Sequence, residues 1–132
     1  MRRPFFVALV LFLPWIVAVG CGGGSVATPS PTPTPSKSEA ALAGGHKIQV
    51  FLESWAVDHG GRYPSGGLVT PAKFAQVMGT SDWPMNPWSG APVASGTGPG
   101  DFTYLPSADR KNALLVVHGQ GKHVIQQFSF GQ

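Results

Sequence analysis

A stretch rich in glycine, proline, serine and threonine, residues 22–37, most constrains what this chain can fold into. It opens with Gly22-Gly23-Gly24-Ser25 and continues with prolines at every second position up to Pro35. Such a segment buries no core, because its glycines make it flexible and its prolines extend it. The sequence therefore predicts three parts: a leader over residues 1–20, a linker over 21–37 and one folded domain over 38–132.

The leader has the pattern of a secretory signal peptide. Arg2-Arg3 precedes an apolar run from Pro4 to Val19, and the small residues of Ala18-Val19-Gly20 close that run. The run is too short to span a bilayer comfortably. A cationic start, a short apolar stretch and small residues at a cleavage point indicate export.

Cys21, the only cysteine of the chain, stands where the exported protein would begin. The segment Ala18-Val19-Gly20-Cys21 resembles a bacterial lipobox, although Ala18 stands where leucine is commonest. The resemblance implies that Cys21 carries acyl chains such as palmitate and anchors the protein by lipid at the extracytoplasmic face of the cell membrane. Ordinary secretion with a free thiol is the alternative, but a lone cysteine in an oxidising compartment has no disulfide partner.

Charge and motif content exclude several functions. The formal net charge is +3, but Arg2 and Arg3 leave with the leader, so seven basic residues then face six acidic ones. No basic patch interleaves with aromatic residues, so nucleic acid is not expected as a partner. No nucleophile elbow, phosphate-binding glycine loop or His-Glu-x-x-His motif occurs, so we expect no enzyme and no cofactor.

The first part of the folded domain has a helical pattern over residues 38–58, ended by Gly60-Gly61. One apolar stripe runs along it, formed by Ile48, Phe51, Leu52, Trp55 and Ala56. Gly44-Gly45 weakens the first turns, so we expect the well-formed helix to begin only near His46.

A second, shorter helix follows, and then the pattern changes to strands. Thr70-Pro71 begins that helix and Gly79 ends it, with Phe74, Val77 and Met78 on its buried face. Three runs rich in β-branched and aromatic residues predict strands over 102–105, 113–118 and 123–130, with a tight hairpin at Gly119-Gln120-Gly121. The expected class is α+β, an amphipathic N-terminal helix packed on a three- to four-stranded antiparallel sheet.

Two motifs resemble the major pseudopilin of type II secretion, a type IV pilin-like family. The stretch from Ile48 to Pro64 is similar to the end of the long pseudopilin helix, which finishes in an Asp-Asn-Gly-Arg-Tyr-Pro type sequence. Asn86-Pro87-Trp88-Ser89-Gly90-Ala91-Pro92 is similar to the Asp-Pro-Trp-Gly-Asn-Pro-Tyr loop that follows. The resemblance implies a pseudopilin-like head and partners among pseudopilins or other secretion proteins. The family's continuous apolar N-terminal helix is replaced here by the lipobox and the linker.

A binding surface is the alternative function. Trp83 and Trp88, beside Asn86 and Asp82, would form an aromatic platform for a wall glycan or another extracellular ligand if they were exposed. The structural interpretation, which we favour, places both tryptophans in or at the edge of the core. Trp83, Asn86 and Trp88 are therefore the candidate binding residues outside the lipidation site.

No metal site is expected from the sequence. If Gln120-Gly121 were the centre of the hairpin, His118 and His123 would face each other across two strands, but no third ligand lies nearby in sequence. Pseudopilins often hold calcium between their late strands. The oxygen donors of that region, Asp101, Asp109 and Asn112, have no recognisable ligand spacing.

Overall fold

The computed structural model describes residues 34–131. The expected leader, Cys21 and most of the linker therefore lie outside the described residues. The elements, in chain order, are helix α1 (Lys37–Asp58), a 3₁₀ turn (Gly66–Leu68), helix α2 (Pro71–Met78), strand β1 (Phe102–Pro106), strand β2 (Ala113–His118), a second 3₁₀ turn (Gln120–Lys122) and strand β3 (Val124–Phe130). The sheet has the order β1-β2-β3 with both pairs antiparallel. The α+β class with a three-stranded antiparallel sheet is confirmed.

Helix α1 begins with a capping box. The Glu39 N–H donates to the Ser36 hydroxyl at 3.2 Å, and the Ser36 N–H donates to the Glu39 carboxylate at 2.7 Å. Each group satisfies a backbone donor that the first helical turn leaves without a partner. The helix therefore starts at Lys37, one residue before the predicted boundary.

Gly44 and Gly45 do not delay the helix, so the expectation that it begins near His46 is wrong. Both glycines are buried within the continuous α1. A Cβ atom at Gly45 would lie 2.5 Å from Cγ2 of Val117, and one at Gly44 would lie 3.1 Å from Cβ of Pro84. Gly45 lets the helix backbone come close to the sheet and Gly44 lets it come close to the Pro84 loop, and this packing offsets their low helix propensity.

The core lies between α1, α2 and one face of the sheet. The predicted stripe of α1 is buried, with Phe51 and Leu52 at 0% exposure. From the sheet, Phe102, Tyr104 and Leu115 pack into the same cluster. Aromatic contacts continue from Phe51 through the α2 side chain Phe74 to the loop beyond, with ring centroids 5.8 Å apart for that first pair. No helix among residues 34–131 is long and apolar enough to cross a bilayer.

Helix α2 and the strands follow the predicted local signals, but the last hairpin does not. Thr70 caps α2, Pro71 begins it, and Gly79 ends it in the left-handed region at φ 66°. The predicted tight turn at residues 119–121 is instead a 3₁₀ turn with Gly121 at φ 67°, and β3 begins at Val124. The register shifts between Val117 and His118, so a bulge separates the turn from the regular part of the sheet.

Candidate functional site

Trp83, the first residue of the candidate binding loop, is a core residue. Its side chain is 7% exposed, and its indole N–H donates to the Val93 carbonyl at 2.9 Å. The ring packs edge-on against Phe74 and Phe102, with centroids 5.4 and 6.2 Å away. A ring held in this way offers no face on which a sugar could stack.

Asn86 organises the loop from inside. Its amide nitrogen donates to the Pro99 carbonyl at 2.8 Å and to the Asp101 carboxylate at 3.1 Å. Its amide oxygen accepts from the backbone N–H groups of Trp88 and Ser89. An asparagine amide has two donors and two acceptor lone pairs, so these four bonds use its full capacity and leave none for a ligand.

Gly100 completes this arrangement. Its φ of 83° lies in the region that glycine adopts without strain, and a Cβ atom there would overlap the Asn86 amide. The loop before β1 is therefore tied to the tryptophan loop by a buried polar contact that tolerates no side chain at Gly100. Of the three candidate binding residues, Trp88 alone is half-buried; Trp83 and Asn86 are buried.

The two histidines near the last hairpin are not a pair. His118 is 9% exposed, lies opposite Val124 in the register, and has its Nε2 2.7 Å from the Thr103 hydroxyl. His123 is exposed. It follows the 3₁₀ turn and precedes β3, so Val124 rather than His123 lies across from His118. Among residues 34–131, no group of three or more histidine, cysteine or acidic side chains could hold a metal ion.

The three oxygen donors considered for calcium do not converge. Asp101 precedes β1 and binds Asn86, whereas Asp109 lies in the turn after β1. The Ser107 hydroxyl donates to the Asp109 carboxylate at 2.7 Å, and this bond holds the pKa of Asp109 below its ordinary value. Asn112 belongs to the same turn, where its N–H donates to Ser107. Opposite ends of one strand cannot supply a single ligand set.

A shallow cleft that sequence reasoning missed lies where the end of α1 meets the β1–β2 turn. The Tyr63 N–H donates to the Arg110 carbonyl at 2.8 Å, and the Tyr63 ring packs on Phe130 at 5.5 Å. Arg110 holds a left-handed φ of 59° in that turn. The cleft is lined by Gly60, Gly61, Tyr63, Lys111, Asn112 and Gly131. These residues provide one cation and one amide, but no nucleophile with an adjacent base. The cleft depends on the contact of Tyr63 with a turn 47 residues later in the chain, and no local sequence pattern predicts such a contact.

Comparisons with protein-family models, curated proteins and solved structures give no match for this chain.

Proposed function

We propose that this chain is a lipid-anchored, non-enzymatic protein of the cell envelope whose folded domain is a pseudopilin-like head with a structural or protein-binding role. The observation that carries the proposal is the position of Cys21, directly after a cationic, short apolar leader. Two or more acyl chains, at about 0.8 kcal/mol per buried methylene, would hold the protein stably at a membrane.

The order of elements supports the pseudopilin-like part of the proposal. A long helix comes first, the Tyr63-Pro64 motif follows its end, and the antiparallel strands come last. Pro64 is fully buried, and its carbonyl accepts from the buried Tyr104 hydroxyl at 2.9 Å. The motif therefore serves to turn the chain and close the core. Partners are then expected among pseudopilins or other secretion proteins, met through the surface of the head.

The alternative, a glycan-binding module built on Trp83, Asn86 and Trp88, is less well supported. It needs an exposed aromatic pair with free polar groups between the two rings. Trp83 is instead enclosed, and Asn86 has no hydrogen-bonding capacity left.

Cys21→Ser tests the anchor. Wild type should incorporate labelled palmitate, lose its leader, and sediment with membranes until detergent is added. Cys21→Ser should take up no label. An inhibitor of lipoprotein signal peptidase should block removal of the leader in wild type alone. The matched control is Cys21→Ser combined with Ser25→Cys, which keeps one thiol but moves it four residues along the chain. Equal labelling of either variant and wild type would overturn the lipid-anchor proposal.

A further inference from the structure

The two edge strands of the sheet, β1 and β3, differ in how far their outer backbone groups are protected. On β1, the Phe102 N–H donates to the Ala94 carbonyl at 3.1 Å, and the Gly96 N–H donates to the Phe102 carbonyl at 2.8 Å. The other end of β1 is Pro106, which has no N–H to offer. The preceding loop thus pairs with one end of this edge and a proline stands at the other, and both features hinder pairing with a further strand.

The outward groups of β3 follow from strand alternation. Phe102 uses its N–H and C=O on the preceding loop, so both point away from β2. The β2 residue opposite Phe102 therefore turns its backbone N–H and C=O away from β1 and toward β3. Every second residue of β2 does the same, and Leu115 is one of them. Leu115 lies opposite Phe128, so the backbone N–H and C=O of Phe128 point toward β2. Its neighbours Gln127 and Ser129 therefore turn their N–H and C=O groups to the outer edge.

That outer edge is left open by the part of the chain that the structure describes. The Gln127 carbonyl accepts from the side-chain amide of Gln126 at 3.1 Å, a surface contact that an incoming N–H can replace. Among residues 34–131, no strand pairs with this side of β3. Its seven residues, Val-Ile-Gln-Gln-Phe-Ser-Phe, contain no charge and no proline. An uncharged edge of this length is a template for another strand.

We propose that the open edge of β3 binds β3 of a second copy of this chain, antiparallel about a two-fold axis at Phe128. This centre places Gln127 of each copy opposite Ser129 of the other, so that both outward residues of each strand exchange backbone hydrogen bonds. It also places Phe128 opposite Phe128 in the closer, non-hydrogen-bonded type of pair.

A second copy fits this edge better than a charged segment does. Because β3 carries no charge, two identical strands meet without repulsion, and an uncharged edge gives an acidic or basic peptide no ion pair. The two-fold axis joins the two sheets into one six-stranded sheet and uses both open edges. The assembly is therefore a closed dimer rather than a filament. A single strand pair is a small interface, so the dimer is weak and concentration-dependent. This inference does not depend on the proposed lipid anchor.

The test uses the full-length chain in a mild detergent of matched density, followed by sedimentation over a concentration series. Wild type should pass reversibly from monomer to dimer. Gln127→Lys with Ser129→Lys should raise the dimer dissociation constant by about tenfold or more, because lysines then oppose lysines, and added salt should reduce the effect. The same charges at Ala94→Lys with Ser95→Lys, exposed residues beside the other edge, should leave dimerisation unchanged.

Mixing tests the pairing itself. The double lysine variant and a Gln127→Glu, Ser129→Glu variant should each dimerise poorly alone and form a one-to-one heterodimer together. Monomers at all concentrations up to about 1 mM would overturn the proposal. So would a wild-type dimer that the lysine pair on β3 leaves intact, or lysine and glutamate variants that do not associate when mixed.

Discussion

Replacing Gly45 by alanine isolates the contact that brings α1 onto the sheet. Helix propensity alone favours alanine by about 1 kcal/mol in the interior of a helix. The new Cβ would lie 2.5 Å from Cγ2 of Val117 and 3.3 Å from Cε2 of Phe128, which is closer than side chains approach without displacement. Overpacking of this kind costs about 1 to 3 kcal/mol. We expect Gly45→Ala to lower the free energy of unfolding by up to about 2 kcal/mol.

The neighbouring residues supply the controls. In a Val117→Ala background the nearest clashing methyl is gone, so Gly45→Ala should become stabilising by up to about 1 kcal/mol. Gly44→Ala, whose Cβ would lie 3.1 Å from the Pro84 ring, should have an intermediate effect. Urea unfolding of residues 34–132, followed by tryptophan fluorescence at low protein concentration, measures all four variants. If Gly45→Ala stabilises the unaltered domain by its full propensity gain, the close packing of α1 is refuted.

Three further predictions concern turns and one buried hydroxyl. Gly100→Ala should cost about 2 kcal/mol or more in the same urea assay, because it combines a left-handed φ with overlap of the Asn86 amide, whereas Gly66→Ala, in open space, should change stability by less than about 0.5 kcal/mol. Arg110→Gly should stabilise the domain by about 1 kcal/mol by relieving a left-handed φ of 59°, and a loss of stability would show that the arginine side chain makes a stronger contact. Burial raises the pKa of Tyr104 above its ordinary value of 10.0, so the folded state favours the neutral phenol; this contribution is complete below about pH 10 and is lost as the pH rises further. Tyr104→Phe should therefore cost about 1 kcal/mol near pH 7 and show a shallower fall in stability above pH 10 in melts over a pH series.

Local signals were sufficient for most of the secondary structure. The cap at Thr70 and the stop at Gly79 act within a few residues of the helix they bound, and the β-branched runs are confined to single strands. Helix α1 shows where such reasoning fails. Gly44 and Gly45 weaken a helix by intrinsic propensity, but their contacts are with Pro84 and Val117, 40 and 72 residues further along the chain. Tertiary packing decided the outcome there.

The candidate site was less predictable than the fold for the same reason. A tryptophan in a proline-rich loop has no sequence periodicity to show whether it faces the core or solvent. Trp83 is buried because α2 and β1 supply Phe74 and Phe102 on either side of it. The role of Asn86 depends on partners 13 and 15 residues away. The separation of His118 from His123 depends on the 3₁₀ turn Gln120–Lys122, which replaces the tight hairpin and leaves His123 outside β3.

The capping box at Ser36 bears on how the proposed head is attached. Ser36 is extended, at φ −62° and ψ 158°, and its side-chain hydroxyl accepts a hydrogen bond from the N–H of Glu39. This local sequence therefore fixes the start of α1 at Lys37 and does not continue the helix toward the N-terminus. A proline at position 35 supports the same boundary, because inside a longer helix its ring would clash with the preceding turn and it has no N–H to donate. Pilin-like subunits rely on an unbroken apolar helix to pack into a filament, and a capped helix cannot provide one. The proposed linker between this cap and a lipid at Cys21 would let the head reach about 40 to 50 Å from the membrane, at about 3.1 Å per residue. Heads confined to that layer would meet at a high effective concentration, which is the condition that a weak, closed β3 dimer requires.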